Sequence, residues 1–357
     1  MDPLSTSPPL ARCPNVIRLE RASEVLSSAL MSGAFTAVVA EVGSSSEPRW
    51  SYAAGRLTAD AAADVVREST IFDLASLTKV LVTTTLVAGH LARGRLGLDS
   101  TIASLVPEWK GADRAGVTIR DCLEHSTGLP AHRPYFLSIR GREAYQTAIA
   151  REPLEYVPRT REVYSDLDFI LLGFIVETIG DASLADQFRE WHQGNELGGE
   201  PTFMPTATMK TRTAATGFDS WRGRTLQGEV HDQNAAALDG IAGHAGLFGT
   251  AAGVGEMARW WLARLPELVA FVNRSSVPNS SRALGWDTML PTSSCGQRMS
   301  KRAFGHTGFT GTSLWIDPGS DLYAVLLTNF VQNSSDRGII RNVRRTFHDA
   351  VMRDLEL

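Results

Sequence analysis

Ser76 and Lys79 stand three positions apart in DLASLTKV, residues 73–80. At the start of a helix this spacing puts both side chains on one face, where the amine can meet the hydroxyl. An unaided serine is a weak nucleophile. A neighbouring amine takes its proton if burial or nearby positive charge lowers the lysine pKa from its reference of ~10.4, and a helix N-terminus adds to that field. The chemistry so described is formation of a covalent acyl-enzyme. The plain alternative is a serine that caps the helix beside a solvated lysine.

Two further stretches keep company with this pair. Tyr164-Ser165-Asp166 sits just before the apolar run FILLGFIVETIG, with Ser165 and Asp168 spaced like a capping box. A phenol at a helix N-terminus suits a general base or proton shuttle, although a tyrosine there can also simply pack. His306-Thr307-Gly308 lies in GHTGFTGTSLWID, whose glycines permit close backbone approach of a ligand. An edge strand there offers free amides, so the Phe309 N–H pairs with that of Ser76 as an oxyanion hole. The competing reading is a glycine-rich bulge with a surface histidine.

The segment 221–249 carries His231, Asp232, Asn234 and His244, but no spacing that fits a zinc site, and reads as a loop and turn that shape the cleft or tie the helical part to the sheet. No metal or cofactor is expected. His125 reads as structural, and Trp286 and Trp315 as core or sheet residues.

These side chains need a scaffold, and 357 residues at 43% hydrophobic and 21% charged suffice for a large core. The net charge of -4 without a basic block argues against nucleic acid or an anionic membrane and for a small-molecule partner. Cys13, Cys122 and Cys295 form neither a disulfide framework nor a ligand spacing, as expected of free thiols in a reducing compartment. The N-terminus lacks a basic region followed by an apolar run, and no apolar window reaches ~18 residues, so a cytoplasmic protein is expected.

Val16 to Leu30 have near-helical apolar spacing ending at Gly33, and FTAVVAEV and RWSYAAG flank a polar turn as in an antiparallel hairpin. A helix opened by Ser76 is expected to present Val80, Leu81, Val87, Ala88 and Leu91 on one side and to end at Gly94. Residues 96–232 read as mostly helical. Strand character returns in ALGWDTML, TGTSLWID and DLYAVLLTN, and an amphipathic helix through Ile340, Val343, Phe347 and Val351 closes the chain. The expected fold is α/β (α+β): a discontinuous sheet domain, 14–78 and 236–357, interrupted by a mostly helical domain, 79–235.

The three motifs in this order resemble the penicillin-recognising serine hydrolases: class C β-lactamases, DD-peptidases, and related esterases and D-aminopeptidases. IFDLASLTKVLVTTTLV, DCLEHSTGLPAH, YSDLDFILLGFIVE, GIAGHAGLFGTAAGV and FGHTGFTGTSLWIDPGSDLYAVLLTN all look like that family. The resemblance implies a β-lactamase-like fold, an antiparallel sheet flanked by helices plus a helical domain, with the site between them. It implies that Ser76 is acylated, that Lys79 and Tyr164 transfer protons, that Asp166 orients Lys79 or the substrate amide, and that His306, Thr307 and Gly308 line the substrate side. The oxyanion hole would be the backbone amides of Ser76 and Phe309.

Two departures bear on substrate. His306 replaces the lysine of the common Lys-Thr-Gly, and Asp166 replaces the asparagine of Tyr-x-Asn. A mostly neutral histidine and an added carboxylate should weaken binding of anionic β-lactams. The expectation is therefore an esterase or a D-amino-acid or cell-wall-peptide peptidase, with a class C-like β-lactamase, or a sensor that is acylated without turnover, as the alternatives.

Overall fold

The computed structural model describes residues 17–199 and 201–357, so Cys13 and Val16 lie outside the described residues. Six antiparallel strands form the main sheet, in the order Pro48–Gly55, Ala37–Gly43, Leu322–Thr328, Ser313–Asp317, Phe304–Thr307, Asp287–Thr288. The expected hairpin is its first pair, with Val39 opposite Ala53 on one side and Leu327 on the other. Every residue of Ala37–Gly43 is buried, because this strand is covered on both faces.

Alternation decides what each face meets. Val38, Ala40, Val42, Trp315 and Leu326 pack under the two terminal helices, Glu20–Met31 and Arg337–Asp354. Val39, Leu314, Ile316, Val325 and Leu327 pack on the other side with the helical part of the chain and the helix Ala251–Ala263. Trp286 and Trp315 are fully buried, as expected of core residues. Among the described residues no helix is long and apolar enough to cross a membrane.

The helix after Ser76 differs from the sequence expectation. It opens as a π-helix, Lys79–Thr84, continues as an α-helix, Thr85–Ala92, and its apolar residues are not confined to one side: all of 79–88 is buried. It is a central element surrounded by protein, which is why polar Thr83, Thr84 and Thr85 are as buried as its valines. The wider turns of a π segment recur at functional sites.

A second correction concerns the strand ends. ALGWDTML contributes only Asp287–Thr288 to the sheet, pairing with Gly305 and Phe304, while the motif strand Phe304–Thr307 is next to last in the order rather than at the edge. Because that outer strand is so short, His306 and everything beyond it have no neighbour on that side. The open edge survives for a different reason than the one expected.

Candidate active site

The turn that presents Ser76 is held from below. Asp73 accepts the Ala75 N–H (2.8 Å) through one carboxylate oxygen and the His231 N–H (2.7 Å) through the other. Ala75 has φ 48°, a left-handed conformation that costs a side-chain-bearing residue ~1–2 kcal/mol and turns the chain sharply into the helix. Thr78 Oγ1 donates to the Ala75 carbonyl (2.6 Å), locking the same turn. Burial pushes the Asp73 carboxyl up to about 6, although its two amide bonds work against that shift.

Lys79 is fully buried, with its ammonium donating to Ser76 Oγ (3.0 Å), to Asp166 Oδ1 (2.8 Å) and to the His244 carbonyl (3.2 Å). The pair expected from spacing is thus formed, and Asp166 joins it. The condition for the amine to act as the base, a lowered pKa, is not met. Burial, the largest single influence, would lower the lysine pKa, but the Asp166 carboxylate and the Tyr164 oxygen together raise it. Burial likewise opposes the Asp166 charge, and Lys79 overcomes it, keeping that carboxyl far below the usual range. His132, about half exposed, stands 3.9 Å from Asp166, which raises the imidazole pKa.

Tyr164 arrives from the residue before the N-cap of the helix Asp166–Gly180. Ser165 Oγ does accept the Asp168 N–H (3.4 Å), but Asp168 does not reciprocate as a capping box requires; it accepts the Thr127 hydroxyl (2.6 Å) instead. The Tyr164 ring lies between His125 (centroids 4.6 Å) and His306 (5.8 Å). Two cations flank it, the Lys79 ammonium at 4.9 Å and the Arg282 guanidinium at 5.0 Å from its centroid. The helix reaches this position because Gly173 touches Gly243: a Cβ on Gly173 would stand 2.9 Å from the Gly243 nitrogen. That contact also sets the loop whose His244 carbonyl holds Lys79.

The third motif is stitched to the nucleophile turn by hydroxyls. Thr310 Oγ1 donates to the Asp73 carbonyl (2.7 Å) and Thr312 Oγ1 to that of Leu74 (3.0 Å). Gly308 fits there only because it lacks a side chain, since a Cβ would lie 2.6 Å from the Leu74 carbonyl oxygen. The amides of Ser76 and Phe309 form no hydrogen bond among the described residues, so the contact brings two free donors to one place. His306 is buried; its Nδ1–H donates to the Thr307 carbonyl (2.9 Å), which leaves Nε2 without a partner. Burial, with Arg282 and Lys79 nearby, holds its pKa well below 6.5, so the imidazole is neutral.

All eight expected residues therefore meet at one place. All but Lys79 line a cavity of about 700 Å³, with Lys79 beneath the floor. Sequence reasoning missed His132, Arg282, Arg337 and Arg344 in its wall. The spacing of RGIIRNVRR, with arginines 337, 341, 344 and 345, was the available signal for two of them. His231, Asp232 and His244 line the same wall, as the cleft-shaping reading of that loop anticipates; His244 Nε2 bonds Asp232 Oδ1 (2.8 Å).

The beta-lactamase family profile matches residues 29–346, and the chain belongs to that family of serine hydrolases. An Escherichia coli K12 protein provisionally named D-alanyl-D-alanine carboxypeptidase is 34% identical over 304 residues, 73% of this chain and 69% of that one. A Bacillus subtilis protein named N-acetylmuramyl-L-alanine amidase is 30% identical over 306 residues, 74% and 69% of the two chains. Among solved structures, a penicillin-binding protein homologue from Caulobacter crescentus superposes with a TM-score of 0.76 at 18% identity, covering 96% of this chain and 98% of that one. The fold is the β-lactamase-like α/β fold expected from the motifs.

Proposed function

We propose that this member of the family hydrolyses small peptide amides or esters, with Ser76 as the acylated residue. The observation that carries this is the Ser76–Lys79–Asp166 chain of hydrogen bonds beside two unbonded backbone amides in one cavity. Ser76 Oγ attacks the substrate carbonyl and the amides of Ser76 and Phe309 meet the oxyanion. With Lys79 held charged, Tyr164 is the relay of the coupled pair: its oxygen takes the Ser76 proton as its own hydroxyl proton passes to the leaving group. Charge that develops on that oxygen is met by Lys79 and Arg282. Water then hydrolyses the acyl-enzyme by the same relay.

The names of the two relatives favour a peptidase or amidase acting on D-alanyl or similar cell-wall peptides over a β-lactamase. The free, buried thiols of Cys122 and Cys295 support a reducing, cytoplasmic setting.

The test is turnover of a p-nitrophenyl short-chain ester, a D-alanine p-nitroanilide and a chromogenic cephalosporin by the wild type and by Ser76→Ala. Ester or anilide hydrolysis should vanish in the variant, with little cephalosporin loss in either. Full activity of Ser76→Ala would sink the mechanism, and fast cephalosporin turnover would make the protein a β-lactamase.

A further inference from the structure

Two sets of arginines in this protein differ in what they face. Arg114, Arg159, Arg222, Arg259 and Arg282 each face a carboxylate within 3.2 Å. Arg337, Arg341, Arg344 and Arg345, all from the first half of the terminal helix, have no carboxylate within ion-pair distance among the described residues. They donate instead to main-chain carbonyls: Phe309, Thr292, Gly308 with Thr312, and Ser293 with Pro291. Carbonyls satisfy N–H groups without cancelling charge.

Arg344 is the sharpest case. It is 8% exposed, its Nε has no partner, and burial with Arg337 nearby pulls its pKa down to about 9. A buried cation left in this state wants an anion. Beside it lies a second cavity of about 350 Å³, sharing Asp287, Thr307, Arg337 and Arg344 with the catalytic cavity and extending to Arg341, Ser293 and Ser294. Ser294 Oγ accepts the Trp315 indole N–H (2.9 Å), so its own proton is free to donate outward. Against three arginines the annexe wall sets one carboxylate, that of Asp287.

We propose that this annexe is an anion subsite that receives a second acidic group of the substrate, held by Arg341 and Arg344 with the hydroxyl of Ser294. The substrate class is then a peptide or ester whose portion beyond Thr307 is a diacid. The inference deepens the hydrolase reading and rests on it for the substrate, but binding can be measured without turnover.

The experiment titrates N-acetyl-D-alanyl-D-glutamate, and its glutamine counterpart with one carboxylate fewer, into Ser76→Ala and into Ser76→Ala/Arg341→Gln. Arg341 is exposed, so its loss does not threaten folding. The expected result is about tenfold tighter binding of the glutamate peptide, an advantage that Arg341→Gln erases while leaving the glutamine peptide unchanged. Equal affinities, a preference that survives Arg341→Gln, or no binding of either peptide overturns the annexe. If the wild type nonetheless shows serine-dependent ester hydrolysis, only the annexe fails; absence of that hydrolysis removes the parent reading instead.

Discussion

Two carboxylates stand two residues apart in the first turn of the helix Asp166–Gly180, and the fold shifts their pKa values in opposite directions. Both sit at a helix N-terminus, which favours negative charge. Asp166 meets the ammonium of Lys79 at 2.8 Å and stays ionised. Asp168, fully buried, has Oδ2 3.4 Å from His125 Nδ1, but that nitrogen already accepts the Ser165 N–H (3.1 Å) and so offers no proton. Burial holds the His125 imidazole neutral and drives the Asp168 carboxyl well above its ordinary range. The helix end is common to the two; the partner differs, and so does exposure, since the Asp166 side chain is 21% exposed at the cavity and that of Asp168 not at all. A fixed cation makes one carboxylate part of the catalytic cluster, whereas a neutral imidazole leaves the other a structural group with a raised pKa.

The largest expected effect comes from removing the cation. Lys79→Met should lower kcat/KM for ester hydrolysis by at least about 10³-fold. It should also lower unfolding stability by about 3 kcal/mol in urea titration, because Asp166 is left charged without its partner. Retained activity in that variant would break the contrast at its catalytic end.

Asp166→Asn sharpens the comparison by separating the two base assignments. Without the carboxylate, Tyr164 alone opposes burial, and the Lys79 pKa should fall from its raised value. If the lysine acts as a cation supporting Tyr164, kcat at pH 7–8 should fall by about 10²-fold and the alkaline limb of the pH profile should move to lower pH. A gain of activity at neutral pH would instead make Lys79 the base.

The smallest effect belongs to Asp168→Asn. A carboxyl with a raised folded-state pKa contributes stability that is present below the ordinary carboxylate range and lost as pH rises through the raised value. Urea unfolding of the variant between pH 4.5 and 7.5 should therefore show a flatter pH dependence than the wild type. Stability at pH 7.5 should stay within about 1 kcal/mol, or rise, and activity within about threefold. Asp166 has the opposite sign: its contribution is present above the ordinary range and lost only well below it. A steeper slope in Asp168→Asn would mean that Asp168 is charged like its neighbour.

Much of the fold was legible because local pattern and long-range packing agree. The hairpin, both terminal helices and the apolar helix after Tyr164 are where periodicity put them. The central helix was misjudged because one-sided spacing cannot report that protein covers its other side as well. Ser165 and Asp168 have capping-box spacing, yet the Asp168 side chain serves Thr127, 41 residues away. The direction of the Lys79 shift was not legible for the same reason, since it depends on Asp166, 87 residues distant. The arginines of RGIIRNVRR were visible as an amphipathic helix, but their lack of carboxylates is a property of their surroundings.

What this sequence determined by itself is the inventory of reactive groups: a serine and a lysine on one helix face, a tyrosine at a helix start, and a glycine-flanked strand end with open amides. These follow from spacing and backbone geometry, which act within a few residues. Tertiary structure alone decided the charge states of Lys79, Asp166, Asp168 and His306, because ionisation in a buried site is set by whichever charges and dipoles the fold brings within a few ångströms.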